Sequence, residues 1–238
     1  MSLTDPGADF FDGTSAQTPL CIEGLGGNDT ILGGGFPDTL RGGPGNDSLA
    51  GRGGADVLEG GEGIDTLVGG GGPDDLRGGD GRDELRGQGG PDSLDGGNDN
   101  DTIFGAADGD PTIAGDLGND SIYGGPGADI LDGGNDDDII FGGDGADNIG
   151  AEGGDDEVYG GNGPDIIRTG LGLRNTVWDG VDRVQYVADG SVDTMCVRSS
   201  VGPQENFIHL GEEDLLDAND SDKVSVYSSI TPGAPIWS

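Results

Sequence analysis

The sequence has little of what enzymes, nucleic-acid-binding proteins and membrane proteins usually require. Its 238 residues include one histidine, two cysteines and ten basic side chains against 47 acidic ones. So few basic residues give no electrostatic footprint for DNA or RNA, and a formal net charge of −37 is repelled by anionic membranes. No apolar run approaches transmembrane length, and the N-terminus lacks the pattern of a signal peptide, so membrane insertion is not expected.

Glycine, in contrast, is abundant, with 54 residues, and together with the high charge this composition is typical of a disordered chain. A repeat argues against disorder. From Gly24 to Arg168 one nine-residue phrase occurs sixteen times, for example GGPGNDSLA at 42–50 and GGPGADILD at 124–132. One copy, from Gly105 to Ala114, carries a tenth residue.

Positions six and eight of the phrase keep the same type of residue in every copy, and position one is nearly constant. Position one is glycine in all copies but the one that begins at Ala151, and glycine also dominates positions two and four. Position six is always aspartate: Asp29, Asp38, Asp47, Asp56, Asp65, Asp74, Asp83, Asp92, Asp101, Asp110, Asp120, Asp129, Asp138, Asp147, Asp156 and Asp165. Position eight is always aliphatic: Ile31, Leu40, Leu49, Leu58, Leu67, Leu76, Leu85, Leu94, Ile103, Ile113, Ile122, Leu131, Ile140, Ile149, Val158 and Ile167.

Each constant position has a physical cause. A glycine-rich hexad can enter left-handed backbone regions and turn tightly. The remaining three residues, with one apolar side chain between two outward ones, form a minimal strand that must stack on other copies. Two copies then make one coil, in which odd-numbered copies form one sheet (the odd sheet) and even-numbered copies the other (the even sheet). Position eight points between the sheets.

This stacking places aspartates of copies two apart about 4.8 Å from one another, the ordinary strand spacing. Like charges at that separation repel unless a cation lies between them, and calcium prefers a surrounding of six to eight oxygen ligands. The position-six aspartates are therefore the predicted metal ligands.

The phrase resembles the RTX nonapeptide G-G-x-G-x-D-x-U-x of the hemolysin-type calcium-binding repeat family. That resemblance implies an all-β fold, a right-handed parallel β-roll with two nonapeptides per turn. It also implies that each calcium ion lies between the turns of copies i and i+2, held by both position-six carboxylates and by turn carbonyls. Eight turns per edge leave seven gaps on each, or about 14 calcium ions in all.

Some copies depart from the pattern. Position four is Phe36, Asp99, Asp108 or Asp136 where glycine is expected, and aspartate tolerates the left-handed region better than phenylalanine. The site beside Phe36 is therefore predicted to be the weakest. The extra residue near Pro111 and Thr112 predicts a bulge on the even sheet.

The predicted function follows from charge and core size. One aliphatic side chain per nine residues cannot offset the entropy of ordering the chain. About 14 divalent ions would bring the charge from −37 to roughly −9, so metal binding would drive folding. Weak sites fill at the millimolar calcium found outside cells. We predict a secreted, extracellular, calcium-binding structural module that is not an enzyme.

The outward residues of the odd sheet suggest an alternative function. Position nine there becomes aromatic in four successive copies, Phe104, Tyr123, Phe141 and Tyr159 (the aromatic ladder). Such a ladder could stabilise the sheet through cross-strand pairs or be covered by the C-terminal segment. If exposed, it would be an apolar strip for carbohydrate or a protein partner. On the even sheet, position nine predicts an ordinary solvated face.

The segments that flank the repeats complete the predicted organisation. Residues 1–23 are expected to be an N-terminal cap of degenerate coils, because Gly7 to Asp12 and Leu20 to Glu23 keep the repeat frame. Residues 169–238 are expected to be a β-rich cap, or else a separate binding domain, with antiparallel or irregular strands near Val224. Cys21 and Cys196 flank the repeats, nearly 40 Å apart at about 4.8 Å per coil, so a disulfide between them would require the tail to fold back along the solenoid. Free thiols or an intermolecular bridge are expected instead.

Catalysis has almost no support in the sequence. His209 is the one histidine and lies in the apolar context FIHL with no nucleophile pattern beside it. An enzyme in the tail would need a pocket around His209. No glycine-rich loop carries the lysine and hydroxyl residue of a phosphate-binding loop.

Overall fold

The computed structural model describes residues 7–170 continuously and, beyond them, residues 176–179, 183–185, 194–199, 208–209 and 223–228. Within these ranges the fold is all-β, with no helix, and the strands lie parallel in two sheets. The chain alternates between the sheets, so that each strand pairs with the strands two before and two after it. This is the predicted β-solenoid of two nonapeptides per coil. No helix with the length and apolarity to cross a membrane occurs in the described part of the chain.

Among the residues that the structure describes, the odd sheet has twelve strands. They are β1 Phe10–Asp12, β3 Thr30–Leu32, β5 Ser48–Gly53, β7 Thr66–Gly71, β9 Glu84–Gly89, β11 Thr102–Ala106, β13 Ser121–Pro126, β15 Ile139–Asp144, β17 Glu157–Asn162, β19 Thr176–Asp179, β21 Thr194–Ser199 and β23 Lys223–Ser228. The even sheet has eleven strands within the same described ranges. They are β2 Cys21–Glu23, β4 Thr39–Pro44, β6 Val57–Glu62, β8 Asp75–Asp80, β10 Ser93–Asn98, β12 Thr112–Leu117, β14 Ile130–Asn135, β16 Asn148–Gly150, β18 Ile166–Arg168, β20 Arg183–Gln185 and β22 Ile208–His209.

Most strands within the repeats are longer than the three residues predicted. In β6, for example, pairing continues past position nine to Gly61 and Glu62, which are positions two and three of the next copy. Gly61 has φ of 122°, so the chain bends there while keeping its sheet partners. The glycine-rich hexad is therefore part sheet and part turn, because glycine can bend without leaving the hydrogen-bonded ladder.

The core is a single column of aliphatic side chains between the two sheets. Every position-eight residue from Ile31 to Ile167 is at most 1% exposed, as the repeat frame predicts. Ile22 and Val177 extend this column at its two ends, and Phe11 and Leu20 pack against it. The segments before and after the repeats thus add coils to the same core.

Position-four glycines lie where the stacked turns approach most closely. At Gly72 φ is 117°, and an added Cβ would lie 1.9 Å from the carbonyl oxygen of Gly54 in the turn below. At the neighbouring Gly71 the nearest atom, the Arg52 carbonyl oxygen, would be 3.8 Å away. The turn therefore tolerates a side chain at one residue and excludes it at the next.

We expect Gly72→Ala to lower the free energy of unfolding in millimolar calcium by at least about 1–3 kcal/mol, since alanine there is both strained and sterically blocked. Gly71→Ala should change it by less than about 0.5 kcal/mol. Both substitutions restrict the unfolded chain alike, so their difference reports the native turn. Urea unfolding followed by circular dichroism measures it; equal losses would contradict this account of the turn.

The extra residue of the tenth copy produces the predicted bulge at the start of β12, on the side of β14. Ile130 N–H donates to the Asp110 carbonyl and Ile113 pairs with Leu131, so that Pro111 and Thr112 together lie opposite Ile130. Pro111 lies just before β12, and from Thr112 onward the register matches that of β10, with Thr112 opposite Ser93 and Ile113 opposite Leu94. The additional residue is accommodated between the turn and the strand. Proline lacks the amide that a ladder position would need, so it lies more favourably outside the strand.

The prediction of antiparallel or irregular strands in the tail is wrong for the strands described. β19 pairs with β17, β21 with β19 and β23 with β21, all in parallel, and β20 and β22 continue the even sheet in the same way. Apolar alternation near Val224 is the same in parallel and antiparallel strands, so the sequence pattern could not distinguish them. Cys21 and Cys196 lie in β2 and β21, in different sheets and towards opposite ends of the solenoid.

Candidate metal centres

The sixteen position-six aspartates form two columns, one along each edge of the solenoid. All but Asp110, which Pro111 separates from β12, lie directly before their strands, and every one of the sixteen is at most 4% exposed. The backbone N–H of each of the first fourteen donates to the Oδ1 atom of the aspartate two copies later, as between Asp83 and Asp101 at 2.7 Å. Fourteen such bonds of 2.7–3.0 Å join successive aspartates within the two columns. The fourteen predicted gaps are therefore the places where carboxylates meet.

The second carboxylate oxygen, Oδ2, is buried without any donor in at least twelve copies. These are Asp29, Asp47, Asp56, Asp65, Asp74, Asp83, Asp92, Asp101, Asp110, Asp120, Asp129 and Asp138. A buried carboxylate oxygen without a partner carries a large desolvation cost, and native proteins rarely contain one without an ion, a water or a function to account for it. The regular recurrence of this feature points to a ligand of the repeat itself.

The position-one glycine makes room for that ligand. A Cβ added to Gly60 would lie 2.4 Å from Oδ2 of Asp65 and 2.6 Å from the carbonyl oxygen of Gly78, two copies later. The same pair of oxygens faces Gly78, where Asp83 Oδ2 and the Gly96 carbonyl lie 2.4 and 2.6 Å from the added atom. A carboxylate oxygen and a backbone carbonyl converge in this way beside ten position-one glycines: Gly24, Gly33, Gly60, Gly78, Gly87, Gly105, Gly115, Gly124, Gly133 and Gly142. An all-oxygen donor set fits a hard cation such as calcium.

Burial and mutual repulsion disfavour the charged form of these aspartates. Burial raises the pKa of Asp101 to about 8, and the nearby carboxylates of Asp83 and Asp120 add to the rise. The other raised pKa values are about 8 for Asp138, about 7 for Asp83, Asp92 and Asp156, and about 6 for Asp65, Asp74, Asp110 and Asp120. In each case burial is the largest cause. A cation between the carboxylates would reverse this penalty.

In the described part of the chain no three carboxylate, imidazole or thiol side chains converge on one point. The gaps instead pair one or two carboxylates with carbonyl oxygens of the turns. The donor set is thus shared between carboxylates and turn carbonyls, and a side chain at position one would occupy the space between them.

One copy departs from the others in its carboxylate. Asp38, beside Phe36, accepts the N–H of Gly34 on Oδ2 at 2.7 Å, and Leu20 N–H on Oδ1 at 2.7 Å. Phe36 is not in the left-handed region, whereas Asp99 and Asp136 at the same position have φ of 74° and 75°. Phenylalanine thus changes the turn, as its poor tolerance of positive φ implies, and aspartate does not.

The comparison with known families now bears directly on these gaps. The sequence model of the RTX calcium-binding nonapeptide repeat matches residues 23–58, 59–92, 77–110, 108–140 and 132–167. The chain belongs to the RTX calcium-binding nonapeptide repeat family. These matches span 23–167, which includes every position-six aspartate of the sixteen copies. A comparison with curated proteins found no match. Membership shows a calcium-binding structural repeat module, in a family that is structural rather than catalytic.

The aromatic ladder of this RTX protein is observed. The ring centroids of Phe104 and Tyr123 lie 4.9 Å apart, those of Tyr123 and Phe141 5.0 Å, and those of Phe141 and Tyr159 4.5 Å, with interplanar angles of 12° or less. Arg86 covers the outer face of Phe104 at 5.4 Å. The facing rings within the ladder, and the outer face of Phe104, are thus covered by a neighbour, which leaves mainly the ring edges between them towards solvent. Offset stacking of this kind stabilises the sheet, while a sugar ring needs an open aromatic face.

Sequence reasoning did not identify two contributors near the N-terminal end. Asp9 N–H donates to Asp29 Oδ1 at 2.7 Å, so the column of bonds begins before the first full repeat. Arg52, at position two of its copy, contacts the segment before the repeats. The sequence signal for Arg52 was a charged residue at position two, where the phrase usually has glycine. In the structure this residue has φ of 78°.

Proposed function

We propose that this RTX protein is a secreted structural module whose folding is driven by calcium bound between the position-six aspartates of copies two apart. The observation that carries the proposal is the column of buried Oδ2 atoms without donors, beside which a backbone carbonyl oxygen from two copies later lies in most gaps. Calcium supplies the missing partner for both oxygens. Its charge also offsets the burial and the mutual repulsion that raise the pKa values of these carboxylates.

The number of ions follows from the gaps. Fourteen gaps lie between position-six aspartates, and the one between Asp38 and Asp56 differs because both Asp38 oxygens already accept hydrogen bonds. We therefore propose thirteen similar calcium sites and one weaker site. Their combined charge would remove most of the formal −37 of the chain.

Extracellular action is part of the same proposal. Sites built partly from backbone carbonyls bind calcium weakly, in the range that is filled outside cells and empty within them. Binding free energy would then become folding free energy only after export. The product would be a rigid rod-like spacer, whose sheets are stabilised on the odd face by the aromatic ladder.

The direct test is the number of calcium ions bound, measured by native mass spectrometry and isothermal titration calorimetry. We expect about 13–14 ions. Asp101→Asn should lose about two, because Asp101 borders the gaps to Asp83 and to Asp120. Asp99→Asn is the matched control, since Asp99 is an exposed turn residue two positions away, and it should retain the full number.

Two results would contradict the proposal. Binding of only a few ions by the wild-type protein would show that the buried oxygens are not the ligands. Equal loss from Asp99→Asn and Asp101→Asn would show that general charge, and not the buried column, holds the ions.

A further inference from the structure

One position-six aspartate in the first coils, Asp38, has its carboxylate satisfied differently from the others, including Asp29, Asp47 and Asp56 beside it. In most copies Oδ2 of the position-six aspartate has no donor, but Asp38 accepts Gly34 N–H on Oδ2 and Leu20 N–H on Oδ1, both at 2.7 Å. Its carboxylate is therefore stabilised by the protein alone. Position six of the preceding copy on this edge is Leu20, which brings no charge to be neutralised.

Arg52 supplies a positive charge at the same end of the same edge. Its Nη1 donates to the carbonyl oxygen of Gly33 at 3.0 Å and to Oδ1 of Asp12 at 3.3 Å, and it also contacts the hydroxyl of Thr14. Gly33 is a position-one glycine, whose carbonyl elsewhere faces a buried carboxylate. A guanidinium thus lies where the coils farther along have only oxygen atoms.

Packing at this end is also independent of a metal. Phe11 and Leu20 cover the first aliphatic residues of the core, and Gly13 N–H donates to the Leu32 carbonyl at 2.7 Å. On the outer face of the even sheet, Arg41 lies 2.6 Å from Glu59 and 3.9 Å from Glu23. Exposed ion pairs are individually weak, but here they alternate in sign from coil to coil.

Charge repulsion rises steeply along the chain. Residues 7–58 contain seven acidic side chains and two arginines, whereas residues 96–168 contain eighteen acidic side chains and one arginine. In the second range Asp116 and Glu152 replace glycine at position two and face Asp95 and Asp132. Cations are thus needed far more at the C-terminal coils of the repeat than at the first ones.

We propose that residues 7–58 form a nucleus that folds with little calcium, closed by Arg52 and Asp38, and that calcium-dependent coils then add to it towards residue 168. The proposal rests on calcium-driven folding of the remaining coils. A preformed end provides the first stacked surface, so each later copy gains its sheet partner and its ion together. Nearest-neighbour stacking of this kind allows a solenoid to grow from one end.

Hydrogen exchange of the full chain, followed by mass spectrometry during a stepwise calcium titration from chelator, tests the order of folding. In chelator, peptides within 7–58 should exchange at least roughly tenfold more slowly than peptides within 96–168. As calcium is added, protection should reach 59–95 at a lower calcium concentration than 96–168.

Arg52→Gly and Gln88→Gly form a matched pair for the role of the guanidinium. Both residues are at position two with φ of 78°, so glycine relieves the same backbone strain in each. Arg52→Gly should raise the hydrogen-exchange rate of peptides within 7–58 in chelator roughly three- to tenfold. Gln88→Gly should leave it unchanged.

The contrary outcomes are distinct. Protection that appears at one calcium concentration throughout the chain would overturn the nucleus and leave calcium-driven folding intact. Full protection everywhere in chelator would overturn calcium-driven folding itself and the nucleus with it. Equal effects of the two glycine substitutions would overturn the role of Arg52.

Discussion

We expect chelation of calcium at pH 7.5 to abolish most of the far-ultraviolet circular dichroism signal of β-structure, and millimolar calcium to restore it cooperatively. The reason is the composition of the interior. One aliphatic side chain per copy is buried, and beside it lies a column of carboxylates whose charges face one another. Without a cation this arrangement opposes folding, because each buried charge lacks a compensating partner.

Magnesium is the informative control for this experiment. It requires near-ideal octahedral geometry and gives up its water reluctantly, so irregular cradles of carbonyl and carboxylate oxygens suit it poorly. Magnesium at the same concentration should therefore restore little of the signal. β-structure that is unchanged in chelator, or equal recovery with magnesium, would contradict folding driven by calcium.

The second large effect concerns pH in the absence of calcium. Burial is the largest cause that raises the pKa values of nine position-six aspartates to about 6–8 in the folded chain, from an ordinary value of 3.8. They are Asp65, Asp74, Asp83, Asp92, Asp101, Asp110, Asp120, Asp138 and Asp156. At pH values between the ordinary and the raised pKa, the folded state binds more protons than the unfolded state, so the stability of the folded state rises as the pH falls. We expect the chelated protein to gain β-structure when the pH is lowered from 8 towards 5.

When calcium is present, lowering the pH should have the opposite effect on folding. Protons compete with calcium for the same carboxylates, so the calcium concentration at half-folding should increase as the pH falls below about 7. A series of calcium titrations at fixed pH, followed by circular dichroism, measures both effects. A calcium-free signal that does not change between pH 8 and 5 would refute the electrostatic explanation.

A pair of double variants separates the buried column from overall charge. Asp101→Asn with Asp138→Asn removes the two aspartates whose pKa is about 8, and the chelated protein should then be more structured at pH 8 and less sensitive to pH. Asp99→Asn with Asp136→Asn makes the same change in charge at exposed turn positions. The exposed pair should have a much smaller effect, since those charges remain in water.

Much of the fold could be predicted from the repeat. Aspartate and an aliphatic residue, such as Asp101 and Ile103, occupy positions six and eight of every copy, and the frame shifts by no more than one residue. Their burial and stacking therefore follow from the period alone. The stacking of Tyr123 on Phe141 followed from the same register. A nonapeptide that cannot bury its apolar residue alone has few arrangements open to it other than a stack.

Other features could not be predicted because they depend on local backbone angles or on contacts between distant copies. Phe36 signalled a weak site, but not that Gly34 would turn its N–H onto Asp38. The parallel direction of β23 was hidden, since alternation is the same in either direction.

What the sequence by itself determined is the period, and with it the two sheets, the aliphatic column and the two rows of aspartates, because these need only a constant spacing. What the tertiary structure alone decided is how the ends and exceptions are satisfied. Arg52 reaches Asp12, forty residues earlier, and the carbonyl of Gly33. Such contacts arise only once the coils are stacked, when side chains far apart in the chain come to face the same polar atoms.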